Sequence, residues 1–159
     1  MGLNIYVKEH PRMVGMRAKS FYEDILGMPN VRLINPQFDS HDLIRGSRVV
    51  VTITGAAGLE ALLLGKPPIT LGRVYYNRLE DVRKARSLTD LPLLVRDALE
   101  GGGPDEPRLL DFLTAVFEGS VPADFRYLWR APGGFEEIWG HPHLGNISRL
   151  VAVEMGLVE

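Results

Sequence analysis

Polar side chains and glycines follow three predicted strands in the first half of the chain. In an open parallel sheet, ligands bind beyond the carboxyl ends of the strands, so we expect these residues to share one rim. The candidate binding residues are Lys8, His10, Pro11, Gln37, Asp39, Ser40, Thr54, Gly55, Ala56, Ala57, Gly58 and Glu60.

The chemistry that these residues favour is the binding of a phosphorylated ligand. Backbone amides at a glycine-rich helix start, together with the helix dipole, make a phosphate cradle, and Gly55 lets a ligand approach the main chain closely. His10 would help to hold the phosphate, and Glu60 could accept hydrogen bonds from ribose hydroxyls.

Each feature also has a simpler structural interpretation. A glycine-rich turn serves packing alone in many α/β proteins, and Asp39 is well placed as a helix N-cap. Glu60 near a helix N-terminus gains about 0.3 to 1 kcal/mol from the dipole without any ligand. His10 and Pro11 could simply end a strand. The residues alone leave these alternatives open.

The segment at residues 48–67 must position much of this chemistry. Apart from Arg48 and Thr52, residues 48–53 are apolar, and all but Arg48 are β-branched, which predicts a strand buried on both faces of a parallel sheet. Leu59, Leu62 and Leu63 then recur at helical spacing, and Gly65 with Pro67 ends that helix. We expect the helix to be largely buried, which makes Glu60 unusual within it.

The remaining pattern alternates strands with helices up to residue 72. This alternation predicts an α/β fold, a Rossmann-like parallel sheet flanked by helices. The further predicted strands are residues 1–8, 30–34 and 68–72, and the further predicted helices are residues 16–26, 40–46, 90–100, 106–118 and 144–156. Residues 75–77 are predicted as loop, residues 78–87 as a charged segment, and residues 119–143 as irregular.

Composition excludes several classes of protein. The chain has 159 residues, about one domain, with 18 basic and 20 acidic side chains and a net charge of -2, so no nucleic-acid partner is implied. The absence of cysteine excludes disulfides and thiolate metal sites. His141 and His143 lack an acidic companion, so we predict no metal site there. No apolar run predicts a membrane span or signal peptide, and we expect a cytoplasmic protein, with peripheral association at the inner membrane face left open.

Four segments together resemble a known family. Residues 8–11, 30–34 followed by 37–40, 52–67 and 69–72 are similar to the C-terminal, nucleotide-sugar-binding half of GT-B glycosyltransferases. More narrowly, they resemble bacterial capsule polysaccharide biosynthesis proteins, which include transferases of 3-deoxy-manno-octulosonic acid (Kdo) from its CMP derivative. The resemblance covers residues 5–77.

The resemblance implies a part for each candidate residue in binding a CMP- or UDP-linked sugar, with no other cofactor. Expected at the donor phosphate and nucleotide are Lys8, His10 and Pro11. Expected to line the nucleotide pocket are Gln37, Asp39 and Ser40. Expected to face the phosphate or sugar are Thr54, Gly55, Ala56, Ala57 and Gly58. Glu60 would bind the ribose.

The resemblance also implies a domain organisation. We expect residues 1–159 to be a single GT-B C-terminal-type domain, with a core at residues 3–77 and a helical and irregular extension at residues 78–159. The acceptor site, and usually the catalytic base, belong to an N-terminal domain that we expect to be absent here. Whether the chain alone is an enzyme therefore stays open. Leu150, Val151 and Met155 on the last helix would be left exposed and favour self-association.

Two alternative functions remain. UDP-sugar 2-epimerases share the His-Pro and glycine-glutamate patterns, although they usually carry more polar residues where this chain has Ala56 and Ala57. A non-catalytic module that scaffolds a polysaccharide complex would bind no nucleotide at all. Binding of CMP, UDP or neither distinguishes the three interpretations.

Overall fold

The computed structural model describes residues 2–124 and 141–157. The chain divides into two compact units, Met1–Asp105 and Glu106–Glu159. The first unit carries all the described strands, so it contains the parallel pairing that the sequence predicts. The predicted irregular segment at residues 119–143 lies mostly outside the described residues.

Two small parallel sheets form the framework of the first unit. Strands β1 (Ile5–Lys8) and β2 (Val31–Ile34) pair in parallel, with Lys8 opposite Ile34, and helix α1 (Lys19–Leu26) connects them. The second sheet has the order β3 (Val50–Thr52), β4 (Pro68–Thr70), β5 (Arg83–Lys84), again parallel throughout. We predicted one sheet, whereas no ladder joins β1 to β3 among the described residues.

Helices connect these strands as the alternation predicts. Helix α2 (Ser40–Gly46) precedes β3, and α3 (Ala57–Leu63) connects β3 to β4. Helix α4 (Leu91–Glu100) follows β5 and contacts β4. Short 3-10 turns lie at Pro11–Met13, Tyr75–Arg78 and Leu88–Asp90.

The core of the first unit lies where α3 and β4 meet. Every residue of β4 is buried, and Ala61 and Leu62 of α3 are at most 1% exposed. Tyr76, which follows β4, is buried to the same degree. Residues 75–77 were predicted as loop, yet they form a 3-10 turn that supplies this core residue.

The prediction that residues 48–53 are buried on both faces is wrong. Val51 is 47% exposed and Ile53 is 66% exposed. The reason is that β3 lies at the edge of its sheet and pairs only with β4 in the described part of the chain. The helix after it is likewise less buried than predicted, since Leu63 of α3 is 54% exposed.

The second unit contains helices α5 (Glu106–Glu118) and α6 (Pro142–Glu154) among its described residues. Among those described residues, Leu109 of α5 is buried. His141 caps α6, because its Nδ1 accepts a hydrogen bond from the backbone amide of His143 at 3.3 Å. Of the three residues predicted to be exposed on this helix, Val151 and Met155 are exposed, at 49% and 66%, whereas Leu150 is half-buried.

Candidate functional site

An imidazole stands between two of the predicted binding residues. His41 Nδ1 lies 3.7 Å from Asp39 Oδ1, and His41 Nε2 lies 4.0 Å from Glu60 Oε2. We call Asp39, His41 and Glu60 the acid–imidazole cluster. It brings the residues that follow β2 to the first turn of α3, so Asp39 and Glu60 share one surface as predicted.

Helix α2 holds the first half of this cluster. Asp39 is its N-cap: Oδ1 accepts hydrogen bonds from the backbone amides of His41 at 2.7 Å and Asp42 at 3.1 Å. These two bonds, with the Asp42 amide contributing most, lower the pKa of the Asp39 carboxyl below its ordinary value. The capping interpretation of Asp39 is therefore confirmed. Its part in ligand binding stays a prediction.

The start of α3 differs, because no side chain caps it. The amides of Ala56 and Ala57 donate to no protein acceptor among the described residues. Uncapped amides at a helix start are the groups that bind anions through hydrogen bonds. Glu60 lies in this first turn and its side chain is 31% exposed, so its carboxylate is accessible beside the two amides.

The segment that leads into α3 is held from both sides. Gly55 donates its amide to Thr52 Oγ1 at 3.1 Å, and its carbonyl accepts a hydrogen bond from the hydroxyl of Tyr76. The amide of Gly55 is therefore already used, which leaves those of Ala56 and Ala57. Thr54 is exposed at the tip of this segment.

Tyr76 explains why residue 58 is a glycine. A Cβ built on Gly58 would lie 2.5 Å from the Tyr76 hydroxyl oxygen and 2.8 Å from Cε2 of the ring. Gly58 is buried, and its missing side chain makes room for the tyrosine. Burial, followed by the charges of Tyr75 and Glu60, raises the pKa of the Tyr76 phenol.

A polar network fixes the segment that carries Tyr76. The buried Thr70 hydroxyl donates to Asn77 Oδ1, and Asn77 Nδ2 donates to the carbonyl of Gly72, both at 2.9 Å. Lys84 Nζ donates to the Asn77 carbonyl at 2.9 Å. The turn after β4 is therefore rigidly tied to the sheet, and through Tyr76 it holds the start of α3.

The loop after β1 carries a second group of predicted residues. His10 Nδ1 accepts a hydrogen bond from the amide of Arg12 at 3.2 Å, capping the turn that begins at Pro11. A neutral imidazole with Nδ1 as acceptor carries its proton on Nε2, which can donate to an anion. Lys8 is half-buried at the end of β1.

The two groups are not joined by direct contacts. Within the described residues, no hydrogen bond or ion pair connects Lys8 or His10 to the acid–imidazole cluster. Gln37 is exposed, and its backbone N–H donates to Asn35 Oδ1 at 2.9 Å. Ser40 is half-buried as the first residue of α2. A ligand that used all the predicted residues would have to bridge the two groups.

The rest of the described part of the chain has a cavity, but no metal-ligand group and no membrane-spanning helix. A cavity of about 260 Å³ lies at the opposite, amino end of β4 and β5, where Arg83 pairs with Asp97. No group of three or more His, Asp or Glu side chains among the described residues could hold a metal ion. None of the described helices is long and apolar enough to cross a membrane.

Sequence reasoning missed two residues of this site. His41 directly follows the predicted N-cap pair, and its place in the first turn of a helix was the available signal. No signal in the sequence indicates the role of Tyr76, because its contacts with Gly55 and Gly58 join residues about twenty positions apart.

A known protein family matches most of the first unit. Residues 1–87 match a family described as capsule polysaccharide biosynthesis protein. Protein FixF of Sinorhizobium fredii (strain NBRC 101917 / NGR234) is 37% identical over 111 residues, which cover 67% of this chain and 25% of that protein. The chain thus spans about a quarter of the length of this relative. No solved structure matches the chain.

Proposed function

The chain belongs to the family of capsule polysaccharide biosynthesis proteins, and we propose that it binds the nucleotide-sugar donor of a glycosyltransferase in that synthesis. The family match covers residues 1–87 and includes every predicted binding residue. It supports a role in surface polysaccharide synthesis, and the proposal adds the ligand and the site.

The observation that carries the proposal is the acid–imidazole cluster beside an uncapped helix start. Glu60 offers an accessible carboxylate, and Ala56 with Ala57 offers two amides. A carboxylate accepts hydrogen bonds from the paired hydroxyls of a ribose, whereas backbone amides donate to a phosphate. A ribonucleoside phosphate such as CMP or UDP contains both of these polar parts.

The reaction would transfer the sugar from a departing nucleotide to an acceptor. Negative charge grows on the leaving phosphate in the transition state, so fixed amides and the Nε2 proton of His10 would stabilise that charge. Asp39 would keep the first turn of α2, and with it His41, in place. We assign no catalytic base and no acceptor to this chain.

Isothermal titration with CMP and UDP tests the proposal. The chain should bind CMP, and Glu60→Gln should weaken that binding about tenfold or more, because hydrogen bonds to a charged acceptor contribute about 1.5 to 3 kcal/mol. Glu100→Gln is the matched control, since it removes an exposed carboxylate at the end of α4 and should leave affinity unchanged.

Other outcomes separate the alternatives. Binding of UDP without CMP would contradict a CMP-linked donor and leave a UDP-sugar donor or a UDP-sugar 2-epimerase. A chain that is folded yet binds neither nucleotide at millimolar concentration would contradict the proposal and support a scaffold role. Equal losses in Glu60→Gln and Glu100→Gln would place the nucleotide outside the acid–imidazole cluster.

A further inference from the structure

A carboxylate directly before His10 is almost fully enclosed by hydrogen-bond donors. Glu9 Oε1 accepts from Arg17 Nε and Glu9 Oε2 accepts from the Tyr22 hydroxyl, each at 2.7 Å. The Glu9 side chain is only 9% exposed, although Arg17 is 45% exposed. We call Glu9, Arg17 and Tyr22 the Glu9 clamp, and it joins the end of β1 to α1.

The loop that this clamp spans has little else to hold it. Residues 10–20 are all exposed, and the 3-10 turn Pro11–Met13 contains no buried residue. The backbone hydrogen bonds of the loop are local, from Met13 to the His10 carbonyl and from Met16 to the Met13 carbonyl. Side-chain hydrogen bonds must therefore supply the order that packing usually gives.

The members of the clamp also fix one another. The Arg17 guanidinium lies over the Phe21 ring, 4.6 Å from its centroid, which orients its Nε towards Glu9. The hydrogen bond from Tyr22, ahead of those from Arg17, lowers the pKa of the Glu9 carboxyl. The same bond raises the pKa of the Tyr22 phenol. The backbone amide of Gly15 also interacts with the Tyr22 hydroxyl. The tyrosine thus reaches both the start and the middle of the loop.

We propose that Glu9 is a positioning residue that, through Arg17 and Tyr22, holds His10 where it can contact the donor phosphate. This role rests on the proposed function. Glu9 itself touches no ligand, because both of its oxygens are occupied within the protein. Its effect passes to His10 because the two residues are adjacent and His10 caps the turn that the loop begins with.

The experiment compares Tyr22→Phe, Glu9→Gln and the control Glu23→Gln. Tyr22→Phe removes the hydroxyl and keeps the ring. Glu23→Gln is the control because Glu23 lies on the same helix and forms an exposed ion pair with Lys19. Two quantities are measured in each variant: hydrogen exchange of the backbone amides at residues 12–17, and the dissociation constant of CMP. We expect Tyr22→Phe to speed exchange and to weaken CMP binding, each about tenfold, and Glu23→Gln to change neither.

The amide variant and the pH profile separate positioning from folding. Glu9→Gln keeps the shape but removes the negative charge that pairs with Arg17 and one of the two acceptor oxygens. It should therefore behave like Tyr22→Phe, while the melting temperature of the core stays close to that of the unmodified chain. The lowered pKa of Glu9 means that the clamp holds at neutral pH, and that loop protection is lost as pH falls through that lowered pKa.

Unchanged exchange and unchanged CMP affinity in Tyr22→Phe would overturn the role of Glu9. Faster exchange with unchanged affinity would also overturn it, since the loop would then be ordered without serving the ligand. An unmodified chain that binds neither CMP nor UDP fails the proposed function, and with it the role at the phosphate. In that case the exchange data still report whether the clamp orders the loop, so the two failures are distinguishable.

Discussion

Gly58→Ala sets two physical effects against each other at the centre of the candidate site. Gly58 lies inside α3, where alanine is favoured over glycine by about 1 kcal/mol in a helix interior. Helix propensity alone therefore predicts a more stable protein. The surroundings of Gly58 predict the opposite result.

The new methyl group has no room. It would lie 2.5 Å, 2.8 Å and 2.9 Å from the hydroxyl oxygen, Cε2 and Cζ of Tyr76, which is itself 1% exposed and donates to the Gly55 carbonyl. The ring must shift, which costs about 1 to 3 kcal/mol as overpacking, and its displaced hydroxyl forfeits about 1 kcal/mol more. After the propensity gain, we expect Gly58→Ala to lower the free energy of unfolding by about 1 to 3 kcal/mol.

Urea denaturation measures the change in the free energy of unfolding, with Gly46→Ala as the matched control. Gly46 also lies in a helix, α2, but a Cβ there would meet nothing within 4 Å, so that variant should be as stable as the unmodified chain or more stable. In a Tyr76→Leu background, where the ring is gone, Gly58→Ala should lose most of its cost. A Gly58→Ala chain that is as stable as Gly46→Ala would refute the packing of Tyr76 on Gly58.

Two further predictions concern the core and the cap of the same site. Leu62→Ala should lower the free energy of unfolding by about 2 to 5 kcal/mol in urea denaturation, because the side chain is 1% exposed. Leu63→Ala, which alters a neighbour that is 54% exposed, should change it by no more than about 0.5 kcal/mol, and similar losses in both would contradict the orientation of α3. Asp39→Ala should lower the melting temperature at neutral pH, and this difference should vanish as pH falls through the lowered pKa of the Asp39 carboxyl, where its capping contribution is lost. A difference that persists unchanged at pH 2 would contradict capping by the ionised form.

Local chemistry made part of the fold predictable. The bounds of α2 were predicted at residues 40–46 because its N-cap lies in the adjacent sequence, where a carboxylate can accept from the helix amides. Strand β2, predicted at residues 30–34 and observed at Val31–Ile34, and the pairing of parallel strands followed from apolar runs separated by helical patterns. These features depend on neighbours within a few residues.

Features that depend on distant partners were not predictable. Strand β5 was missed because it consists of two charged residues, Arg83 and Lys84, whose pairing with β4 gives no apolar pattern. The burial of β3 was wrong because an apolar run does not reveal whether a strand lies at the centre or the edge of its sheet. The place of His41 beside Glu60 depends on how α2 contacts α3, which spacing along the chain does not fix.

The central claim is that a nucleotide binds at the start of α3 beside the acid–imidazole cluster. Amide-resolved NMR spectra recorded while CMP is added test it most directly. We expect saturable shifts at the amides of Ala56 and Ala57, with smaller ones at His41. In Glu60→Gln, these shifts should need about tenfold or more CMP to saturate. Spectra that stay unchanged with millimolar CMP and UDP, or shifts confined to residues 106–124 and 141–157, would contradict nucleotide binding at the start of α3.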